Sequence, residues 1–188
     1  IFVLFLMGGI YFDADVMFLR DMWPLWAMDF SYRWSYLNRY NTAVLGLQPG
    51  SEACRLISTS ALATAESYAA QGKSPFFGFH PHVLTKILAV HSKESSQPGP
   101  LLHMLPSPLF DPLWLHVDGR DQSSTAYPYS RFSDFFEARG VTADDLPNFF
   151  PGAVGYHWHN FWEAEPPAGS WFAAFESAYS SAPPVAPS

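Results

Sequence analysis

Two carboxylates one residue apart, Asp13 and Asp15, close a short apolar run that opens at Gly8-Gly9. On an extended strand alternate side chains share a face, so this spacing predicts both acids on one side where the strand leaves the core. Ionised carboxylates in that position must pair, bind a metal or emerge into water, because isolated buried charge is expensive. Hard oxygen ligands suit magnesium or manganese, which keep water sites and bridge to substrate phosphates. A solvated turn is the competing reading, and an Asp-x-Asp pair alone does not decide between them. A second pattern lies far along the chain, where Gly152 to Trp162 sets His157 and His159 two residues apart among tryptophans. On a strand they too would share a face, and imidazole suits manganese better than magnesium. Their competing reading is hydrogen-bonded core histidines.

The elements that must position these groups follow from the pattern around them. Ile1 to Met7 is apolar throughout, and Gly8-Gly9 ends it as a helix, because glycine readily takes the left-handed conformation of a helix stop. Ile10 to Asp13 then predicts a short strand buried on both faces of a parallel or mixed sheet, with Val16 to Leu19 extended before Trp23-Pro24. Thr42 to Leu47 is a second buried strand. Ser51 is an N-cap for a helix reaching Gln71, with Leu56, Ile57, Leu62, Ala65 and Ala69 near helical spacing and Gly72 as its stop. A shorter helix is expected over 79–92, a polar surface loop from Lys93 to Pro100, and a strand over Leu101 to Leu105 closed by Pro106 and Pro108. Residues 118–131 show no period. Helical turns are expected over Ser133 to Arg139, a helix start at Asp144-Asp145 and a last amphipathic helix over Trp171 to Tyr179. Residues 182–188 form a Pro, Ala and Ser tail.

With 188 residues, 48% apolar and 18% aromatic, the chain suits one domain with a real core. The formal net charge of -7 argues against nucleic acid as a partner. The single cysteine, Cys54, has no partner for a disulfide or a metal and reads as a small buried residue. The apolar opening is too short for a membrane span and lacks the basic flank of a signal peptide. It starts with Ile inside apolar structure, which predicts a fragment of a longer protein.

The stretch Gly8-Gly-Ile-Tyr-Phe-Asp-Ala-Asp-Val16, followed by Leu19 and Pro24, resembles the DXD sugar-binding region of glycosyltransferase family 32. Weaker matches follow in order. They are Asn41 with the small apolar residues after it, His80-Pro81 through Thr85, Leu102 to Phe110, and Tyr156-His-Trp-His-Asn160. In the second of these His80 stands where the family usually has Gly. The resemblance implies an α/β fold of GT-A type, a mixed sheet flanked by helices, with its nucleotide-binding N-terminal part missing from residues 1–181. It implies metal-dependent transfer of a sugar from a UDP- or GDP-sugar donor to a hydroxyl of a glycan or glycolipid, with retention of configuration. Asp13 would contact the ribose and the metal, and Asp15 would ligate the Mn2+ or Mg2+ that holds the diphosphate, which makes these two the catalytic carboxylates. His157 and His159 are the further candidate ligands. Substrate contacts fall to Tyr11, Asp13, Asn41, His157, Asn160 and Trp162. From residue type alone, Trp158 and Trp162 suit either an apolar wall for a sugar face or the core, which is the commoner place for tryptophan, and Arg33 and Arg39 suit either a phosphate contact or a solvated surface, the commoner state of arginine. The family implies a Golgi or secretory-pathway location on the lumenal side, with membrane attachment through a segment absent from this chain.

Two rivals remain on sequence. A haloacid-dehalogenase-like phosphohydrolase also places Asp-x-Asp after a buried strand, using the first as nucleophile and the second as acid/base. Asp144-Asp145 could imitate its later acidic motif, but Met17 stands where Thr or Val is expected and Gly8-Gly9 has no role there. The non-enzyme rival is a truncated transferase-like protein without activity.

Overall fold

The apolar opening forms α1 (Phe2–Met7) in the computed structural model, which describes residues 2–35, 37–74, 84–86, 88, 100–114, 131–161, 163 and 165–181. Gly8 and Gly9 stop it in left-handed geometry, φ +67° and +112°, and the Gly8 N–H donates to the Leu4 carbonyl at 2.8 Å. The chain then enters β1 (Gly9–Phe12), turns, and leaves as β2 (Val16–Phe18). β3 (Phe30–Arg33) and β4 (Tyr40–Leu47) follow as a hairpin, closed by the Arg33 Nε donating to the Leu37 carbonyl at 3.1 Å.

Next comes α2 (Glu52–Ala70), with the Ser51 hydroxyl accepting the Cys54 N–H at 3.1 Å as the N-cap predicts. Ala53, Cys54, Leu56 and Ile57 in its first two turns are buried, whereas Leu62 is exposed, so the helix runs past the edge of the core instead of keeping its whole apolar side covered. Cys54 is free and buried. β5 (His103–Leu105), β6 (Gly155–His157) and α3 (Trp171–Ser181) complete the regular elements. Tight 3-10 turns occupy 107–109, 132–136 and 143–148, the last carrying Asp144 and Asp145 in its first turn. The helix expected over 79–92, the loop over 93–100, the stretch 118–131, Trp162 and the tail 182–188 lie outside the described residues, apart from 84–86, 88, 100 and 131. Among the described residues no helix is long and apolar enough to cross a membrane.

The result is an α/β fold with a mixed sheet in the order β1-β4-β3-β5, antiparallel except for the β3–β5 pair, and a separate antiparallel ladder of β2 with β6. Alternation along β4 covers both of its faces. Leu45 and Leu47 pack with α1, α2 and Leu102, while Val44 meets Phe30, Tyr32, Phe110 and Val16. A third cluster, mostly aromatic, gathers Phe135, Phe149, Phe150, Tyr156, Trp171 and Phe175 around α3.

Two expectations need correction. β1 is not buried on both faces: it is the sheet edge among the described residues, and Tyr11 and Phe12 are 48% and 47% exposed. Nor do Asp13 and Asp15 ride an extended strand. β1 ends at Phe12, and the Val16 N–H donates back to the Asp13 carbonyl at 3.1 Å across a turn. A four-residue apolar run carries too little period to reveal either its place in a sheet or its end.

Gly46 marks where the sheet tolerates no side chain, since a Cβ there would overlap the edge of the Phe30 ring. That ring is fully buried and stacked on Phe110, with centroids 6.1 Å apart, so it has little room to yield. Gly46→Ala should cost about 1–3 kcal/mol by over-packing, read as a lowered midpoint in urea denaturation with no change of slope.

Candidate metal centre

The β2–β6 ladder is three residue pairs long, with Val16 opposite His157, and it brings the two ends of the chain together. Beyond it the Asp15 carbonyl accepts the Trp158 N–H at 3.1 Å, and the Val154 carbonyl accepts the Leu19 N–H at 2.8 Å. The other edge of β6 leans on the segment after β5. There Leu109 and Phe110 carbonyls accept the Val154 and His157 N–H groups at 2.7 and 3.0 Å. Pro106 and Pro108 flank Ser107 in the 3-10 turn before it, and the Asp111 N–H returns to the Ser107 carbonyl at 2.8 Å. Asp111 is thereby fixed beside His157, although nearly fifty residues separate them in sequence.

The side chains form a buried chain. Asp15 Oδ2 lies 3.2 Å from His157 Nε2 and accepts the Asn160 N–H at 2.9 Å. His157 Nδ1 lies 2.8 Å from the Tyr32 hydroxyl and 3.7 Å from Asp111 Oδ2. Asp111 Oδ2 in turn lies 2.7 Å from His159 Nε2, which also receives the Trp114 indole N–H at 2.9 Å. The two imidazole rings overlap with centroids 3.7 Å apart. Asp15 is 3% exposed, Asp111 0% and His157 6%.

Burial and charge act on these groups in opposite directions. Burial alone would raise the Asp15 carboxyl, but hydrogen bonds from His157 and the Asn160 N–H, with the imidazole's charge, outweigh it and hold the pKa below the ordinary value. For Asp111 burial wins over the bonds from His159 and Trp114, and its pKa is raised. Tyr32 is pushed well above a normal phenol, first by burial and then by the charges of Asp111, Asp13 and Asp15.

The histidines do not meet by strand alternation. β6 ends at His157, and His159, Asn160 and Phe161 all take left-handed backbone, with φ of 54°, 69° and 69°. Such geometry costs roughly 1–2 kcal/mol per residue with a side chain. Contacts offset it: Asn160 gives its N–H to Asp15, and Phe132 and Trp114 meet the His159 ring edge to face at 4.5 and 5.4 Å. Phe161 packs against Phe136 at 5.6 Å. The strained turn returns His159 over His157.

Asp111, His157 and His159 can hold one cation, since a ligand atom from each lies within 4.8 Å of the others. The residues fit such a group on a second count. Among the described residues Oδ1 of Asp15 and Oδ1 of Asp111 are buried without a hydrogen-bond partner, an expensive state for a carboxylate.

The sequence candidates divide around this cluster. Asp15 and His157 touch, and His159 joins them through Asp111. Asp13 stands outside the three-residue grouping, half-buried, with Oδ1 accepting the Tyr11 hydroxyl at 2.6 Å. Tyr11 is raised to about 12 by burial, by that bond and by the charges of Asp13 and Asp15. Asn160 enters through its backbone. Asn41 is buried at the β3–β4 register shift, where its side-chain oxygen accepts the Ala43 N–H at 3.0 Å and its carbonyl accepts the Ser31 hydroxyl. Trp158 packs in the aromatic cluster, and Trp162 lies outside the described residues. Sequence reasoning missed Asp111, Tyr32 and Trp114. The signal for Asp111 was present, because it is a carboxylate directly after the apolar pair Leu109-Phe110, as Asp13 follows Tyr11-Phe12.

Comparison of the chain with family models, with curated proteins and with solved structures found no match.

Proposed function

We propose that the chain is the metal-bearing part of a glycosyltransferase of GT-A type, moving a sugar from a UDP- or GDP-sugar to a hydroxyl of a glycan or glycolipid. One observation carries this reading. The Asp13-x-Asp15 turn and the His157 to Asn160 block, which the resemblance makes two sides of one donor site, are neighbours on the β2–β6 ladder, with Asp15 and His157 3.2 Å apart. A divalent cation bound there would offset the charge of a departing diphosphate. The chain's own residues have separable parts in this scheme. Asp15 fixes His157, the Asn160 N–H fixes Asp15, and Asp13 faces the more open side with Tyr11, where it is free to meet a donor ribose.

What favours transfer over phosphate-ester hydrolysis is the place of β1. Ligands of open α/β sheets collect at the carboxyl ends of the strands, at a switch point in the sheet, whereas among the described residues β1 is an edge strand paired antiparallel to β4 alone.

The test is titration of the full-length protein with a panel of UDP- and GDP-sugars in Mn2+, following both binding and release of nucleoside diphosphate. One donor should saturate the site only when the cation is present, and Asp13→Asn should weaken that donor by about tenfold or more, the loss of one charged-group hydrogen bond. Failure of every donor to bind, with the cation bound, would overturn the transferase reading.

A further inference from the structure

Three potential ligand atoms, Asp111 Oδ2, His157 Nδ1 and His159 Nε2, come together around the two imidazoles. Asp15 Oδ2 is an acceptor, so the His157 nitrogen 3.2 Å away, Nε2, carries the ring proton. Nδ1 is then a lone pair, which takes the Tyr32 O–H and lies 3.7 Å from Asp111 Oδ2. On the other ring His159 Nε2 lies 2.7 Å from Asp111 Oδ2 and 2.9 Å from the Trp114 indole nitrogen, and in the tautomer with its proton on Nδ1 it offers a lone pair to a cation. Asp111 Oδ1 is buried without a hydrogen-bond partner. A cation reached by Asp111, His157 and His159 would draw on all three ligand atoms at once. The carboxylates Asp15 and Asp111 also place negative charge in this buried cluster, which a divalent ion would offset.

We propose that Asp111 Oδ2, His157 Nδ1 and His159 Nε2 bind one first-row divalent transition-metal ion in preference to Mg2+, with Asp15 positioning His157 from behind. A carboxylate on the far nitrogen of a ligating histidine is the usual way its tautomer and orientation are set. Tyr32 is the group that must move, because the ion takes the lone pair its hydroxyl now holds. The Trp114 N–H can serve Asp111, whose carboxylate it helps to hold. Two imidazoles with one carboxylate are a poor match for Mg2+, which favours oxygen ligands and gives up water reluctantly. This deepens the site proposed above and rests on it for its location, but not on the donor chemistry.

The experiment is Mn2+ binding to the full chain without any nucleotide, followed by electron paramagnetic resonance with pulsed detection of nearby nitrogen. One Mn2+ per chain should bind with modulation from imidazole nitrogen, and a hundredfold excess of Mg2+ should leave it in place. Asp111→Asn and His159→Gln should each weaken Mn2+ by at least about tenfold. His159 is only partly buried, so its variant and the wild-type spectrum decide the matter independently of Asp111→Asn. Bound Mn2+ without nitrogen modulation, displacement by equimolar Mg2+, or loss of affinity with Asp13→Asn but not with His159→Gln would overturn the proposal. Binding of Mn2+ as described, with no sugar nucleotide ever bound, would sink the transferase reading and leave this site standing.

Discussion

Replacing His157 with alanine should destabilise the chain by about 3–5 kcal/mol, the cost of leaving a buried charge without its partner. The side chain bridges two buried groups at once, with Nε2 on Asp15 and Nδ1 on Tyr32. Without it Asp15 Oδ2 keeps the Asn160 N–H, its other oxygen has no partner already, and the Tyr32 hydroxyl loses its acceptor in a fully buried position. The packing loss is smaller, because imidazole is polar and its stacking partner is His159. The sign therefore comes from electrostatics and should fade as Asp15 is protonated. Urea denaturation of the metal-free proteins at neutral pH and again in acid separates the two. A penalty below about 1 kcal/mol at neutral pH, the value of an ordinary hydrogen bond, would mean that Asp15 and His157 are not coupled.

Asp111→Asn should act in the opposite direction on the metal-free chain and stabilise it. The raised pKa of Asp111 means that the folded chain holds this proton more tightly than the unfolded chain. Between the ordinary carboxylate value and the raised one the native state binds more protons, so its stability falls as pH rises through that window. Asparagine has no charge to desolvate and removes the slope, with a gain of about 1–2 kcal/mol at neutral pH, in the range seen when buried ions are replaced. Asp15 has the reverse sign: its lowered pKa adds stability above the ordinary carboxylate value, lost as pH falls through the folded value. Stability against pH for wild type and variant, both in chelator, reads the two windows separately. Added Mn2+ should then reverse the ranking, because only the wild type gains from binding. A variant less stable than wild type in chelator at every pH would show that Asp111 is held by its hydrogen bonds more strongly than burial opposes it.

Much of the scaffold was legible because its signals are local. Ser51 announced α2 through a cap that needs only the next three residues, and Gly8-Gly9 announced the end of α1 through backbone geometry no other residue adopts so cheaply. Sheet position was not legible. Ile10 to Phe12 reads the same at an edge as in the middle, since apolar type does not record how many neighbours a strand has. β3 was missed because Phe30 to Arg33 mixes aromatics with polar residues, and its burial comes from β4 and β5 on either side. In the site, the Asp-x-Asp and His-x-His spacings drew notice to Asp15, His157 and His159, but for a reason that proved incorrect. Neither pair is aligned by strand alternation; a turn orients the first and a left-handed run the second. Asp111 had no spacing partner at all, and only the Leu109 and Phe110 carbonyls on β6 reveal why it belongs.

The three-pair ladder of β2 with β6 also bears on how the chain folds. It closes a loop between residues 142 apart, joined by the Asp15–His157 contact, and such closure costs entropy that only late, collective contacts can offset. The hairpin of β3 and β4 and the capped helix α2 are short-range and form without it. The centre is therefore expected to assemble late, and interactions made after the transition state slow unfolding without speeding folding. A cation bound there would then act as a kinetic latch on a chain whose scaffold is already in place.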